Sequence, residues 1–406
     1  MKAVGVIVEY NPFHNGHAFH LEQSKEISKS DIVIAVMSGN FLQRGEPALV
    51  SKWTRTEMAL AAGIDIIFEL PYQFATQKAE TFANGAVSIL AAAGCDSLCF
   101  GSEAGSIDPF IQTLSFLEEK NEEYQMQMKK FMNMGYSYPR AASQAFHELG
   151  PNEDILDLSK PNNILGYHYL KSVHSQKLPL NVLTVSRKNA DYHDEHFSSE
   201  TIASATSIRK ALFEDKNEMN HIRKLVPNST FERLVQYKKE IGAFHQWEDY
   251  WDLFKYQLIS LSAAELKEIY EVEEGIENRV LSAGLKATSF TDFMNLLKTK
   301  RYTWTRLQRM CVHILTNTKK EEMRIAEENP SYLRLLGMSD KGRKYLKGKR
   351  EQLSLPLISK LSSFQKDTIQ LDIKASRIYA LGAKGDAKQL LLEKEYSQPP
   401  IYYQAH

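Results

Sequence analysis

Short apolar segments rich in β-branched residues alternate with helical patterns along the first half of the chain. Strands are predicted at residues 4–8, 31–37, 64–70, 97–100 and 180–185, with helices at 51–62 and 83–93 among the segments between them. This alternation predicts an α/β fold built on a parallel sheet with right-handed crossovers. In such sheets ligands bind at the carboxyl ends of the strands. We therefore expect the functional site at that edge.

The first strand runs directly into a histidine-rich turn, Asn11-Pro12-Phe13-His14-Asn15-Gly16-His17. His14 and His17 bracket the predicted start of a helix, whose N–H groups and partial positive charge favour an anion. Gly16 has no side chain, so a ligand can approach the backbone closely. The pattern predicts a phosphate site. A pair of surface histidines near a cap and a metal pair are the alternatives, although no cysteine or carboxylate cluster nearby completes a metal site, and we predict no resident metal.

A second group of polar residues follows the fifth strand. Ser186-Arg187-Lys188 lies at the end of that strand, and Ser204-Ala-Thr206-Ser207-Ile-Arg209 opens the next helix. Hydroxyls can cap a helix and donate to phosphate oxygens, and an arginine can bind phosphate bidentately. Because the chain shows no nucleophilic serine or cysteine triad, we expect catalysis by positioning and charge stabilisation, with His14, His17, Lys188 and Arg209 acting on the phosphate.

The strand pattern ends near residue 225, and helical spacing dominates afterwards. With 406 residues, 43% of them hydrophobic, the chain is long enough for two domains. We predict a catalytic domain at 1–225 and a mainly helical domain at 226–406. Helical spacing predicts core positions at Met126, Met128, Met132 and Met134 in the first domain, and at Trp247, Tyr250, Trp251, Leu253, Leu258, Leu261 and Leu266 in the second.

Positive charge is concentrated in one part of a chain that is neutral overall. The 50 basic residues balance 50 acidic ones, but residues 298–350 contain 15 Lys and Arg against 5 Asp and Glu. A solvated face is the usual meaning of such a run. Here the arginines lie among aromatic residues, which favours RNA binding. The predicted RNA-binding residues are Arg301, Arg306, Arg309, Lys341, Arg343, Lys344 and Lys347.

Cysteine content and hydropathy indicate where the protein works. Cys95, Cys99 and Cys311 form no even framework and no paired metal spacing, which favours a reducing compartment. No uninterrupted apolar run is long enough to span a bilayer. We expect a cytoplasmic protein that does not bind membranes.

The segment from Asn11 to His17 resembles the signature of the nucleotidyltransferase superfamily that includes class I aminoacyl-tRNA synthetases and adenylyltransferases. The segment from Ser204 to Arg209 resembles the Ser-x-Thr-x-Ile-Arg element of adenylyltransferases, whereas the synthetase Lys-Met-Ser-Lys-Ser loop is absent. Through most of its length the chain resembles the bacterial tRNA(Met) cytidine acetate ligases. The resemblance implies a Rossmann-like nucleotidyltransferase domain, with ATP as a substrate and Mg²⁺ as its cofactor. The implied nucleotide-binding residues are Ile7, Val8, Glu9, Tyr10, Asn11, Pro12, Phe13, His14, Asn15, Gly16, His17, Ala18, Phe19, His20, Gly101, Asn162, Arg187, Lys188 and Ser207.

Three residues, Asn162, Lys52 and Arg55, have competing interpretations. Asn162 opens a predicted helix and could serve as its cap. Lys52 and Arg55, at the start of another helix, are either a solvated face or, by the resemblance, groups that approach substrate phosphates or an acyl pocket.

The resemblance also implies a reaction. Acetate would attack the α-phosphorus of ATP, giving acetyl-adenylate and Mg-pyrophosphate. The acetyl group would then pass to N4 of the wobble cytidine in the anticodon loop of elongator tRNA(Met), giving N4-acetylcytidine. The residues alone leave two alternatives open: a small-molecule adenylyltransferase that makes a dinucleotide cofactor, and an RNA-binding protein with a regulatory nucleotide site.

Overall fold

The computed structural model describes residues 1–151, 155–187, 203–214, 218–325, 329–364 and 367–404. Lys188, predicted to be catalytic, lies outside the described residues. Within the described ranges, eight strands form one sheet: β1 (Ala3–Val8), β2 (Ile32–Ser38), β3 (Ile66–Leu70), β4 (Ser97–Ser102), β5 (Asn181–Ser186), β6 (Leu333–Ser339), β7 (Leu357–Ile358) and β8 (Ile401–Tyr403).

Helices connect and cover these strands. In the described part of the chain they are α1 (Asn15–Ser28), α2 (Lys52–Ala61), α3 (Tyr72–Ala75), α4 (Ala79–Ala92), α5 (Asp108–Glu119), α6 (Asn121–Asn133), α7 (Tyr138–Glu148), α8 (Pro161–Ser175), α9 (Ala205–Glu214), α10 (Glu218–Ile222), α11 (Asn228–Ile241), α12 (Trp251–Ser260), α13 (Ala263–Lys267), α14 (Glu277–Lys286), α15 (Phe290–Leu297), α16 (Trp304–Leu315), α17 (Lys320–Ile325), α18 (Asp340–Lys349), α19 (Gln370–Leu381) and α20 (Ala387–Ser397).

The strand order is β5-β4-β1-β2-β3-β6-β7, with β8 also paired to β6. Strands β1 to β5 are parallel to one another, which confirms the predicted sheet. The chain adds strands on one side of β1 and then crosses to the other side, so the order reverses between β1 and β4. A crevice at such a switch point is where ligands bind in open parallel sheets. The histidine turn leaves β1 at this place.

The prediction that strands end near residue 225 is wrong, because β6, β7 and β8 extend the sheet. β6 runs antiparallel to β3 and pairs Arg334 with Glu69. Its apolar residues, Leu333, Leu335 and Leu336, form a short run inside the basic segment, and the surrounding charges hid it. The mainly helical character of residues 226–406 is confirmed, and the boundary near Val226 stays a prediction.

Two apolar layers cover the faces of the sheet. One joins Ile34 and Phe68 of the strands to Val87 of α4, and the other joins Val33 of β2 to Leu60 of α2. A third cluster fills the helical region. It contains the predicted core residues Trp247, Tyr250, Trp251, Leu258 and Leu266, with Leu253 and Leu261 partly buried at its border.

The predicted methionine core is wrong at three of four positions. Met128 is buried, but Met126, Met132 and Met134 have exposed fractions of 62%, 41% and 61%. Helices α6 and α7 pack mainly on each other, so only one stripe of α6 is covered. No described helix is long and apolar enough to cross a membrane.

Lys52 belongs to a buried ion cluster rather than to a solvated face or a substrate site. Its Nζ lies 2.9 Å from Glu69 and 3.0 Å from Glu395. Arg334 contacts the same carboxylates at 3.1 and 2.7 Å. The cluster therefore joins α2 and β3 to β6 and α20. Its two positive and two negative charges balance, as burial requires.

Arg55 is likewise structural, because its guanidinium donates hydrogen bonds to backbone carbonyls. It donates to Glu9 O at 2.7 Å and Ser38 O at 3.0 Å, and also to Gly39 O and Val50 O. The residue is fully buried. Arg55 thus fixes the chain at the carboxyl ends of β1 and β2, just before the histidine turn, and has no reach to a substrate.

Candidate active site

The histidine turn is held by its own side chains at the start of α1. The backbone N–H of His14, the residue before the helix, donates to His17 Nδ1 at 3.2 Å. The two imidazole rings stack with centroids 3.7 Å apart and planes inclined by 23°. Tyr10 and Phe13 pack against His17, with centroid distances of 4.9 and 5.6 Å. Both histidines are therefore fixed beside the amino end of a helix.

These histidines are neutral near pH 7. Burial lowers the pKa of His14 to about 4, and the nearby Arg187 charge contributes. Burial, His14 and Arg187 also hold the pKa of His17 well below its usual range. Because Nδ1 of His17 accepts a hydrogen bond, its proton is assigned to Nε2. The pair can therefore donate N–H groups to phosphate oxygens but does not supply positive charge. Nδ1 of His14 is buried without a partner among the described residues, a polar atom left open beside the site.

Charged and amide groups meet at the ends of β4 and β5. Glu103, just after β4, accepts from Asn162 Nδ2 at 2.7 Å and from the backbone N–H of Asn163 at 2.8 Å. Asn162 Oδ1 in turn accepts from the guanidinium of Arg187. Asn162 is therefore not the cap of α8, since Lys160 occupies that position. Its amide links Arg187 to Glu103 instead.

Gly101 allows Arg187 to approach α1. A Cβ atom on Gly101 would lie 2.9 Å from Arg187 Cγ and 3.7 Å from His20 Cδ2. Burial and Arg187 lower the pKa of His20 to about 4. The structure thus brings Gly101, Asn162, Arg187 and His20 together across the switch point, as the prediction of a shared nucleotide site requires.

The second motif reaches the histidine turn through Arg209. This arginine donates to Asn11 O at 2.9 Å and pairs with Glu46 Oε2 at 2.9 Å, with a longer contact to Thr206 at 3.5 Å. Ser207, in the first turn of α9, is exposed, and its hydroxyl lies 2.9 Å from that of Ser204. Arg209 therefore braces the loop that carries the histidines and is already paired with a carboxylate.

A tight hairpin after β2, residues 42–46, contacts Glu9 at the end of β1 and Arg209 of the second motif. It is closed by hydrogen bonds between Leu42 and Glu46 and from Gly45 to Leu42, each 2.9 Å long. The Gln43 N–H donates to Glu9 Oε1 at 2.8 Å. Burial raises the pKa of Glu9, and this hydrogen bond opposes the rise. The hairpin thus lies between the end of β1 and Arg209.

The other predicted nucleotide residues are continuous with this site. Ile7 and Val8 end β1, and Tyr10, Asn11, Pro12 and Phe13 form a buried turn. Asn15, Gly16, Ala18 and Phe19 are partly buried in the first turns of α1. Sequence reasoning missed Glu46 of the hairpin, which pairs with Arg209, and did not recognise Glu103 as the acceptor that holds Asn162. Only the position of Glu103 directly after a strand pointed to this edge.

The predicted RNA-binding residues form two groups, one near the carboxyl ends and one near the amino ends of the parallel strands. Arg301 and Arg306 share Glu274, at 3.0 and 3.7 Å. Arg309 pairs with Glu271 at 3.0 Å, and only 11% of its side chain is exposed. This group is next to the hairpin, because a Cβ on Gly45 would lie 2.2 Å from Arg309 N. It is therefore on the side of the histidine turn.

The other group lies on α18, at the opposite edge. The helix follows β6, which runs antiparallel to β3, and so begins near the amino ends of the parallel strands. Ser339 donates to Asp65 at 2.8 Å just before β3, and Tyr345 donates to Gly94 O at 2.7 Å before β4. At about 3.3 Å per residue, strands of this length separate the two edges by roughly 20 Å. The exposed cations of this face are Lys341, Arg343, Lys344 and Lys347.

No group of three or more His, Cys, Asp and Glu side chains within the described ranges is arranged to hold a metal ion. The site instead offers N–H donors and guanidinium groups, which suit phosphate.

Comparison with known proteins places the chain in a family. A sequence model of the family described as HIGH Nucleotidyl Transferase matches residues 1–394. The tRNA(Met) cytidine acetate ligase of Bacillus licheniformis is 51% identical over 407 aligned residues, covering 99% of this chain and 98% of that protein. The protein of the same name from Bacillus subtilis (strain 168) is 48% identical with the same coverage.

Solved structures agree with this relationship. Thermotoga maritima TmcAL, crystallised with alpha-thio ATP, is 33% identical and superposes with a TM-score of 0.90 over 100% of both chains. Its apo form gives 34% identity and a TM-score of 0.91. The family resemblance drawn from the two motifs and the predicted nucleotidyltransferase fold are thereby confirmed. The chain belongs to the tRNA(Met) cytidine acetate ligase family of HIGH nucleotidyl transferases.

Proposed function

We propose that this protein activates acetate with ATP and transfers the acetyl group to N4 of the wobble cytidine in the anticodon loop of elongator tRNA(Met). The observation that carries the proposal is the neutral, stacked pair of His14 and His17 at the amino end of α1, in a chain that belongs to this family. These substrates place the protein in the cytoplasm. The position of acetate and the identity of the acceptor base rest on the family alone.

In the first step a carboxylate oxygen of acetate attacks the α-phosphorus of ATP. The bond from that phosphorus to the bridging oxygen breaks, and pyrophosphate leaves with the electron pair. His14 and His17 donate N–H groups to the non-bridging oxygens, where negative charge increases in the transition state. Fixed donors stabilise such charge without reorganising, and their removal typically costs about a hundredfold or more in rate.

Arg209 keeps donors for this step even though it is paired. A guanidinium has five N–H donors, and the contacts to Asn11 and Glu46 use two of them. We propose that Arg209 both holds the histidine loop and donates to phosphate. Arg187 and Lys188 complete the proposed nucleotide site with Gly101, Asn162 and Ser207. Mg²⁺ would enter with ATP on the phosphate oxygens, which it prefers to a cage of protein ligands.

In the second step the cytidine N4 amine attacks the carbonyl carbon of acetyl-adenylate. The bond from that carbon to the phosphate oxygen breaks, AMP leaves, and N4 gives up one proton. The reaction therefore needs the anticodon loop at the histidine edge. Arg301 and Arg306 lie on that side, with aromatic Tyr302 between them. We propose that they hold the loop, and that α18, at the far edge, attracts tRNA backbone by charge.

The decisive experiment is acetate-dependent exchange of labelled pyrophosphate into ATP without RNA. We expect exchange by the wild type and its loss in His17→Ala, by about a hundredfold or more, with unchanged circular dichroism. An exchange rate within a few-fold of wild type would remove His17 from the mechanism. Lack of acetate-dependent exchange in the wild type would favour a small-molecule adenylyltransferase or a regulatory nucleotide site.

A second experiment separates the two basic groups. Arg306→Glu and the double variant Lys344→Glu/Lys347→Glu should both keep acetate-dependent exchange. Both should bind tRNA(Met) with a shallower salt dependence, by about one unit of slope for each RNA phosphate that the variant no longer neutralises. At saturating tRNA we expect only Arg306→Glu to acetylate slowly. Equal loss of exchange would mean that these residues brace the catalytic edge instead.

A further inference from the structure

We propose that Arg44, at the tip of the hairpin after β2, binds the β- and γ-phosphates of ATP. The proposal rests on the ATP-dependent function inferred above and adds a residue that lies in neither sequence motif. The neighbours of Arg44 fix its place. Gln43 donates to Glu9 at the end of β1, and Glu46 pairs with Arg209 of the second motif. Arg44 stands between these two contacts and is exposed.

Arg44 differs from the other arginines near the site in having no carboxylate partner among the described residues. Arg209 is paired with Glu46, and Arg187 is joined to Glu103 through Asn162. Arg44 makes no ion pair with any residue that the structure describes. Burial lowers the pKa of Arg187, the Glu103 charge opposes this decrease, and the Arg44 charge adds to it, as expected of two cations near one site. The polyphosphate of ATP carries several negative charges, so it can bring such cations together.

The hairpin holds its tip in place before a ligand arrives. Gly45 has a φ of +76°, and a Cβ there would lie 2.2 Å from Arg309 N, so the hairpin backbone packs directly on α16. Trp247 Nε1 donates to Gly45 O at 2.9 Å, and Gln43 Nε2 donates to Gln77 O at 2.8 Å. A fixed backbone lowers the ordering cost of binding, which favours a specific contact over a loose electrostatic one.

The test compares ATP with AMP, which lacks the β- and γ-phosphates. Binding of each nucleotide is measured by calorimetry with wild type, Arg44→Gln and Arg44→Lys, without tRNA or acetate. We expect Arg44→Gln to weaken ATP binding by about tenfold to a hundredfold, the range for removal of a charge-assisted hydrogen bond, and to change AMP binding by less than about twofold. Arg44→Lys should lie between them.

Arg140→Gln is the matched control, because it removes the same charge from an exposed arginine on α7 that stacks on Tyr136. It should bind both nucleotides like wild type. Equal weakening of ATP and AMP by Arg44→Gln would overturn the proposal. Unchanged ATP binding by Arg44→Gln would also overturn the proposal. This holds whether the variant shows a raised KM for acetate, weaker tRNA binding or no defect. Since nucleotide binding is measured directly, the result does not depend on acetate-dependent exchange.

Discussion

Replacing Arg334 by methionine should strongly destabilise the protein, because it unbalances the buried ion cluster. The cluster contains Lys52 and Arg334 against Glu69 and Glu395, and at most 4% of each side chain is exposed. Without Arg334, two carboxylates face one ammonium in a site closed to water. Leaving a buried charge uncompensated in this way costs about 3–5 kcal/mol.

The pKa shifts of two carboxyl groups in and beside the cluster support this expectation. Burial alone would raise the pKa of Glu395, but the Arg334 and Lys52 charges outweigh it and lower that pKa. Burial and nearby Glu69 raise the pKa of Asp372, which borders the cluster, to about 7. The positive charges of the cluster therefore only just compensate the negative charges around them. Removal of one cation leaves negative charge uncompensated.

Urea unfolding followed by tryptophan fluorescence measures the effect. Arg334→Met should lose about 3–5 kcal/mol, whereas the double variant Arg334→Met/Glu395→Gln, which restores neutrality, should be more stable than the single variant by about 1 kcal/mol or more. Lys388→Met removes an exposed charge from α20 and should change stability by less than about 0.5 kcal/mol. A loss below about 1 kcal/mol in Arg334→Met, or a double variant less stable than the single one, would refute the charge-balance reasoning.

Two further predictions concern the histidine edge. The pKa of His14 falls from 6.5 in the unfolded chain to about 4 in the folded protein, so the unfolded state binds more protons between these values, and stability should decrease as pH falls from 6.5 to 4. Urea midpoints at several pH values check this; His14→Gln should flatten the decrease, and an equal decrease in the variant would contradict the prediction. Gly45→Ala places a methyl group 2.2 Å from the backbone nitrogen of Arg309, a clash that no side-chain movement can relieve. The φ of +76° at this position is also unfavourable for alanine. Thermal unfolding should show a clear loss of stability with weaker ATP binding, and wild-type behaviour in both would mean that the hairpin is not held by α16.

Local sequence was sufficient to predict the five parallel strands of the sheet and the turn that follows β1. Buried parallel strands are continuous apolar runs, so β1 to β5 were recognisable within a few residues of their observed ends. The segment from Asn11 to His17 predicted a phosphate site by itself, because the strand, the turn and the start of the helix follow one another in the chain. Gly101 and Arg187 could be placed at the same edge for a similar reason, since each lies at the end of a strand.

Tertiary structure decided what depends on contacts between distant segments. β6 pairs with β3 and places Arg334 beside Glu69 and Glu395, so the charge that hid this strand in the sequence is neutralised by residues from distant segments. The neutral state of His14 comes from burial, and the pairing of Arg209 comes from a hairpin 163 residues earlier in the chain. The basic segment forms one patch in sequence, yet the antiparallel course of β6 carries its second half to the opposite edge of the sheet. Charge and burial act through space, so sequence showed which groups were available, and only the fold determined which of them meet.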